Sequence, residues 1–317
     1  MKKFINTTIG LSVLSALLLS ACGSAPRGND RGLSILASTT FLADIARNVT
    51  GERASVDSLL PIGTDPHSYQ ATPSDVVKIS ESTVLILNGL EYEHFIEPLL
   101  ENADGERLVI TATDGLEPRA LGGTRAEEHA EEGMADEEAG HEAGDPHMWL
   151  DPNLIIIYVE NIRNGLIQAD PEGTEVYRVN ADAYIAQLEE LDEWIVEQVN
   201  TVPSERRQLV TNHEALGYFA ERYGFEIVDT ILPSFSSDAS ASAREIAAVI
   251  EAIKSRGAPA IFLGGVENAD LANQIAAETG AKVVDDLQLE TLTAGDPAAT
   301  YIDMMKYNVL LIVEALK

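Results

Sequence analysis

Residues 171–199 read PEGTEVYRVNADAYIAQLEELDEWIVEQV, and this stretch divides the chain. Val176, Val179, Ala183, Leu188, Leu191, Ile195 and Val199 recur mostly at spacings of three and four, with one step of five, the signature of one helix face. Pro171 opens the pattern, where a helix tolerates proline, and Pro203 follows its end. At 1.5 Å per residue such a helix extends about 40 Å, enough to run the length of a two-lobed protein. The 317 residues are also more than a single hydrophobic core usually serves.

On both sides of this helix, short β-branched runs alternate with helical stretches. Before it, strands are expected at residues 34–38, 55–59, 83–87 and 107–110, with helices at 40–49, from 73 onward and around 92–100. Thr72-Pro73-Ser74-Asp75 is a helix start, with Thr as N-cap, Pro at the first helical position and Asp in the first turn. After it, strands at 208–211, 226–230, 259–263 and 282–284 alternate with helices at 215–222, 243–256 and 268–278. This alternation specifies an α/β fold with parallel sheets and right-handed crossovers. The expected organisation is a first α/β lobe at residues 33–170, a linking helix at 171–200 and a second α/β lobe at 201–317. Ligands in such sheets bind beyond the carboxyl ends of the strands, so the loops after each strand carry the functional interest.

Two segments stand outside this pattern. Lys2 and Lys3 followed by an apolar stretch from Ile9 to Leu19 have the layout of a signal peptide, expected at residues 1–21. It ends in Leu19-Ser20-Ala21-Cys22, which resembles a bacterial lipoprotein processing site with Cys22 as the lipidated residue. Residues 22–32 then read as a lipid-anchored tether, placing the protein at an extracytoplasmic membrane surface, cell surface or periplasm, without a transmembrane helix. Cys22 is the only cysteine, so an intramolecular disulfide is excluded. Residues 124–144 combine eight acidic residues with His129 and His141 and have few apolar positions, the composition of a disordered acidic loop. That loop reads either as a solvated spacer or as a weak zinc-capturing segment.

The net charge is −31 with 45% apolar residues, which describes a soluble globular protein and excludes phosphate-backbone binding, where clustered Lys and Arg are needed. An acidic surface instead attracts cations. Of the six histidines, His67 and His147 each close an Asp-Pro-His tripeptide, and His213 follows a predicted strand. Proline fixes the backbone ahead of the imidazole, and a nearby carboxylate can hold one ring nitrogen so that the other faces a metal. These three are the candidate ligands. His94 is expected to sit in an amphipathic helix and to be structural, and Trp149 to pack near the site.

The mature chain resembles the zinc/manganese solute-binding proteins of ABC importers, the two-lobed group with a rigid linking helix. The resemblance runs from Leu33 to Leu316 and is carried by PIGTDPHSYQATPSD at 61–75, NGLEYE at 88–93, DPHMWLDP at 145–152, NHEALGYFAERYGF at 212–225 and TYIDMMKYN at 300–308. It implies two parallel-sheet lobes joined by one long rigid helix, with a metal site in the cleft between them. It also implies four protein ligands, of which three carry over onto His67, His147 and His213. By that resemblance the third ligand tends to be histidine in zinc members and glutamate in many manganese members, so His213 points to zinc. The fourth ligand, usually an aspartate ahead of a methionine-rich C-terminal helix, is best matched by Glu290 in Glu290-Thr291-Leu292, with Asp285 or Asp286 as the alternative. Three imidazoles and one carboxylate favour Zn²⁺, with Mn²⁺ the second choice. The implied partners are an ABC permease and its ATPase, the implied state a monomer, and the implied role transport without catalysis. A surface adhesin on the same fold and a zinc hydrolase using Glu214 as base are the competing readings. The sequence has no HExxH motif, and Gly264-Gly265 lacks the residues of a phosphate loop.

Overall fold

The structure, a computed structural model, describes residues 33–120 and 144–317. The expected signal peptide, Cys22, the tether and most of the acidic segment, including His129 and His141, lie outside the described residues. Among the described residues no helix is long and apolar enough to cross a membrane.

Two four-stranded parallel sheets form the frame. In the first, β1 (Ser34–Ala37), β2 (Ser55–Ser58), β3 (Val84–Leu87) and β4 (Leu108–Thr111) lie in the order β2-β1-β3-β4. In the second, β5 (Gln208–Thr211), β6 (Glu226–Thr230), β7 (Ala260–Gly264) and β8 (Lys282–Leu287) repeat that order as β6-β5-β7-β8. The two apolar central strands β3 and β7 are buried along their whole length, as strands covered on both faces must be.

The crossovers of the first sheet are α1 (Thr40–Thr50), α2 (Pro73–Glu81) and α3 (Ile96–Asn102). Thr39 caps α1 by accepting the Leu42 N–H, and Asp75 in the first turn of α2 accepts the Thr72 N–H at 2.9 Å, so both helices begin where their capping chemistry dictates. A helix that the pattern of residues did not announce follows, α4 (Pro152–Ala169), capped by Asp151. The linking helix α5 (Thr174–Val199) comes after a short 3₁₀ turn at Pro171–Gly173. The second sheet carries α6 (Gly217–Tyr223), α7 (Ala243–Arg256) and α8 (Asp270–Thr279), and the chain ends in α9 (Tyr301–Leu316).

Two expectations need correction. The residues around 92–95 form turns, and the helix begins only at Ile96, so Tyr92 and the exposed His94 are not helical. The buried face of α5 is Tyr177, Ala181, Tyr184, Leu188, Leu191, Ile195 and Val199, while Val176 and Val179 are exposed. The tyrosines, not the valines, continue the stripe in the first half of the helix. That face lies against α1, α4 and α9. The largest buried apolar cluster therefore takes residues from both lobes, from Ile35 and Val84 through Tyr184 and Leu188 to Leu209, Phe262 and Ile312. Smaller clusters line the far face of each sheet, around Leu85 and Phe95 in the first lobe and Val249 and Ile261 in the second.

Candidate metal centre

Four buried donors converge where the carboxyl ends of the two sheets face one another. His67 lies in the loop between β2 and α2, and His147 between β4 and α4. His213 follows β5 by two residues, and Glu290 follows β8 by three. Relative exposures are 4%, 0%, 1% and 2% in that order, so all four are shielded from bulk solvent. Two donors thus come from each lobe.

The facing atoms are Nε2 of each histidine and Oε1 of Glu290. Oε1 stands 3.7 Å from His67 Nε2 and 3.5 Å from both His147 Nε2 and His213 Nε2, and the latter two nitrogens are 3.3 Å apart. All four atoms lie within 4.8 Å of one another. A tetrahedral ion with bonds of about 2.0–2.2 Å needs donors separated by about 3.3–3.6 Å. His67 Nε2 and Glu290 Oε1 are buried without a hydrogen-bond partner, a costly condition that a cation relieves. Asp285, the alternative to Glu290, is exposed on β8, and Asp286 is exposed and accepts the Tyr307 hydroxyl.

The ring orientations have identifiable causes. Asp145 Oδ1 lies 2.9 Å from His147 Nδ1 and also accepts the His147 backbone N–H at 2.9 Å. A carboxylate there requires the hydrogen on Nδ1 and turns the Nε2 lone pair toward the other donors. Glu267, on the loop after β7 and with its side chain sealed, stands against His213 with Oε1 2.8 Å from Nδ1, an ion-pair contact whose angles fall short of the hydrogen bond that Asp145 makes. The first Asp-Pro-His repeat works differently. Asp65 Oδ1 accepts the His67 backbone N–H at 2.9 Å, and its Oδ2 accepts the Ser237 hydroxyl of the other lobe at 2.7 Å. Trp149 packs 5.0 Å from the His147 ring, as expected, and its indole N–H donates to the Leu289 carbonyl at 2.8 Å. On the other flank of Glu290, the Leu292 N–H donates to the Thr40 hydroxyl at 2.8 Å and the Gly63 N–H to Thr291 Oγ1 at 3.1 Å. The loop bearing Glu290 is thereby stitched to the first lobe on both sides. Tyr92 donates its hydroxyl to Glu290 Oε2 at 2.5 Å.

Burial opposes every charge here, and the partners decide each outcome. Burial lowers His67 and outweighs the opposing pull of Glu290, since no second carboxylate holds the other ring nitrogen. Burial would lower His147 and His213 too, but Asp145 and Glu290 raise the first, and Glu267 with Glu290 lifts the second to about 10. Burial would raise Glu290, yet the three imidazoles hold it well below the usual carboxylate range. The cluster is built to keep a carboxylate ionised beside concentrated positive charge. Glu267 and Tyr92 escaped the sequence reading because nothing in GGVEN or NGLEYE marks a side chain that points across a cleft; the buried, ring-facing carboxylate becomes visible only once β7 and β5 are neighbours.

The family model described as zinc-uptake complex component A, periplasmic (ZnuA) matches residues 35–315. The chain belongs to the ZnuA family. Among its relatives, the manganese-binding lipoprotein MntA of Halalkalibacterium halodurans is 34% identical over 306 residues, covering 95% of each chain. The iron-binding protein YfeA of Yersinia pestis is 30% identical over 286 residues, covering 90% of this chain and 86% of that one. The periplasmic zinc binding protein TroA of Treponema pallidum has the same two-lobed fold, with a TM-score of 0.77 at 27% identity over 90% of this chain and 99% of that one. The names of these ZnuA-family relatives thus divide among manganese, iron and zinc.

Proposed function

We propose that this ZnuA-family chain captures one divalent transition-metal ion outside the cytoplasm, Zn²⁺ in preference to Mn²⁺, and delivers it to an ABC permease and its ATPase for import. His67, His147, His213 and Glu290 hold the ion, and a lipid on Cys22 keeps the protein at the membrane as a monomer. The observation that carries this reading is the set of four buried donor atoms gathered within 4.8 Å of one another, close enough for one ion to draw them into a tetrahedral shell. Manganese names predominate among the relatives, so the preference for zinc rests on the donors themselves. Three imidazoles suit zinc, copper or nickel, whereas manganese favours carboxylate and water. Copper stands above zinc in intrinsic affinity, so the preference for zinc in the cell rests on availability as well as geometry.

A hydrolase would keep three protein ligands and leave the fourth position to water. Glu290 occupies that position, which speaks for capture over catalysis. Titration calorimetry of metal-stripped protein tests the reading. One Zn²⁺ per chain is expected, with loss of binding in His147→Ala. Displacement of Zn²⁺ by equimolar Mn²⁺ would refute the zinc preference, and metal uptake unchanged in cells lacking the gene would refute the transport role.

A further inference from the structure

We propose that Tyr92 sets the metal preference of this site by restricting Glu290 to a single ligating oxygen. The inference rests on the reading that the four donors hold a metal ion. The two oxygens of Glu290 have different surroundings. Oε1 faces the three imidazole nitrogens at 3.5–3.7 Å, while Oε2 is held 2.5 Å from the Tyr92 hydroxyl, which donates to it. A hydroxyl bonded to an ionised carboxylate makes a charge-assisted bond, roughly twice as strong as one between neutral groups. For both oxygens to reach the ion the carboxylate must turn, and the Tyr92 bond resists that turn by holding Oε2 away while Oε1 alone faces the imidazoles.

Denticity matters because the competing metals want different shells. A glutamate gripping with one oxygen completes four-coordination, which zinc adopts readily. Manganese suits oxygen-rich, six-coordinate surroundings, and the second carboxylate oxygen is the nearest extra donor. Tyr92 withholds it. The restriction handicaps manganese more than zinc, although the donor atoms themselves are unchanged.

The position of the hydroxyl is built into the backbone. Gly89 has φ +94, and a Cβ there would come within 2.5 Å of Thr111 Cγ2, so only glycine fits. Leu90 and Glu91 follow with φ of 57 and 58, two successive non-glycine residues in the left-handed region. Such conformations persist where the surroundings over-determine them, and they cluster at functional sites. Glu93 supplies the clamp. Its buried carboxylate accepts the N–H groups of Asn88 at 2.6 Å and Gly89 at 3.1 Å and the Ser38 hydroxyl at 2.5 Å. The Tyr92 ring is wedged 4.8 Å from that of Trp149 and edge-on to that of His67 at 5.4 Å. The turn thus delivers one hydroxyl of the first lobe to one oxygen of the second.

Tyr92→Phe keeps both ring contacts and deletes only the hydroxyl. In the full chain, chelator competition should show the ratio of Zn²⁺ to Mn²⁺ affinity falling by about tenfold or more in the variant, within the range by which partners of metal ligands act. Bound Co²⁺ reports coordination number directly, with intense visible bands for four ligands and weak ones for more. Intense bands are expected for the wild type and weaker ones for Tyr92→Phe. An unchanged affinity ratio, with both metals weakened alike, would reduce Tyr92 to a structural role and overturn the inference. Weak Co²⁺ bands in the wild type would overturn it without any variant. A wild type that takes up none of the three ions at one per chain would instead remove the underlying metal-binding reading.

Discussion

Asp65 and Asp145 each stand two residues before a histidine and each accept its backbone N–H, yet only Asp145 also reaches the ring, while Asp65 turns its second oxygen to Ser237 of the other lobe. Identical tripeptides therefore do different work, and the chemistry of each ligand depends on what the fold brings beside it. Glu290→Ala should weaken zinc binding by more than the ~10–100-fold typical of residues behind the ligands, whereas Asp285→Ala, altering an exposed strand residue, should leave it unchanged. Side-by-side zinc affinities check this, and the reverse order would move the fourth ligand to Asp285. Glu267→Gln should fall within that ~10–100-fold range, because the contact that orients His213 and raises its basicity is weakened. The protonation states give a sign as well. His147 and His213 are raised above the ordinary histidine range in the metal-free protein, the latter to about 10, and both must be neutral to bind. Metal binding near pH 7 therefore expels protons, and affinity falls as pH drops, about tenfold per pH unit for each proton displaced. Glu290, held ionised, contributes none. Calorimetry in buffers of different ionisation enthalpy should find at least one proton released per ion at pH 7; release of none would contradict the assignment.

Among the elements, the linking helix shows where pattern and packing part company. Its aliphatic residues suggest one face, but burial selects Tyr177, Ala181 and Tyr184 ahead of Leu188, because a tyrosine ring fills the space between helices as a valine on the neighbouring face does not. Tyr184 is buried, and its hydroxyl finds no hydrogen-bond partner. Tyr184→Phe should thus be neutral or stabilising by about 1 kcal/mol, and Tyr184→Ala destabilising by about 3–5 kcal/mol, as urea unfolding would register. Val179→Lys, on the exposed face, should stay within about 0.5 kcal/mol. The strands, their order of appearance and most helices were legible in the sequence because β-branched runs, capping residues and glycine stops are local signals. Helix α4 was not, since Leu154-Ile155-Ile156-Ile157 is apolar all round and conceals the helical period. The turn that carries Tyr92 was read as helix because leucine and glutamate rarely adopt positive φ, and no residue type announces it. Of the candidate site, the motifs single out the three histidines and Glu290, which the fold brings together, whereas Glu267 and Tyr92 meet their partners only through tertiary structure.

At the scale of the molecule, the continuous core through both lobes predicts that they melt together. A single thermal transition is expected, and zinc at a thousand times its Kd should stabilise it by about 4 kcal/mol, raising the midpoint. Two transitions, only one of them responsive to metal, would show the lobes to be independent units. The same unity bears on the burial of the four donors, which are at most 4% exposed. If the four donors hold an ion as proposed, it should leave no faster than the lobes part, and its residence time should follow the bonds that stitch them, Trp149 to Leu289, Thr40 to Leu292 and Asp65 to Ser237. On that reading tightness would belong to the four ligands and timing to the stitches. A membrane partner that loosened the stitches would turn a slow-exchanging store into a prompt donor while leaving every ligand in place.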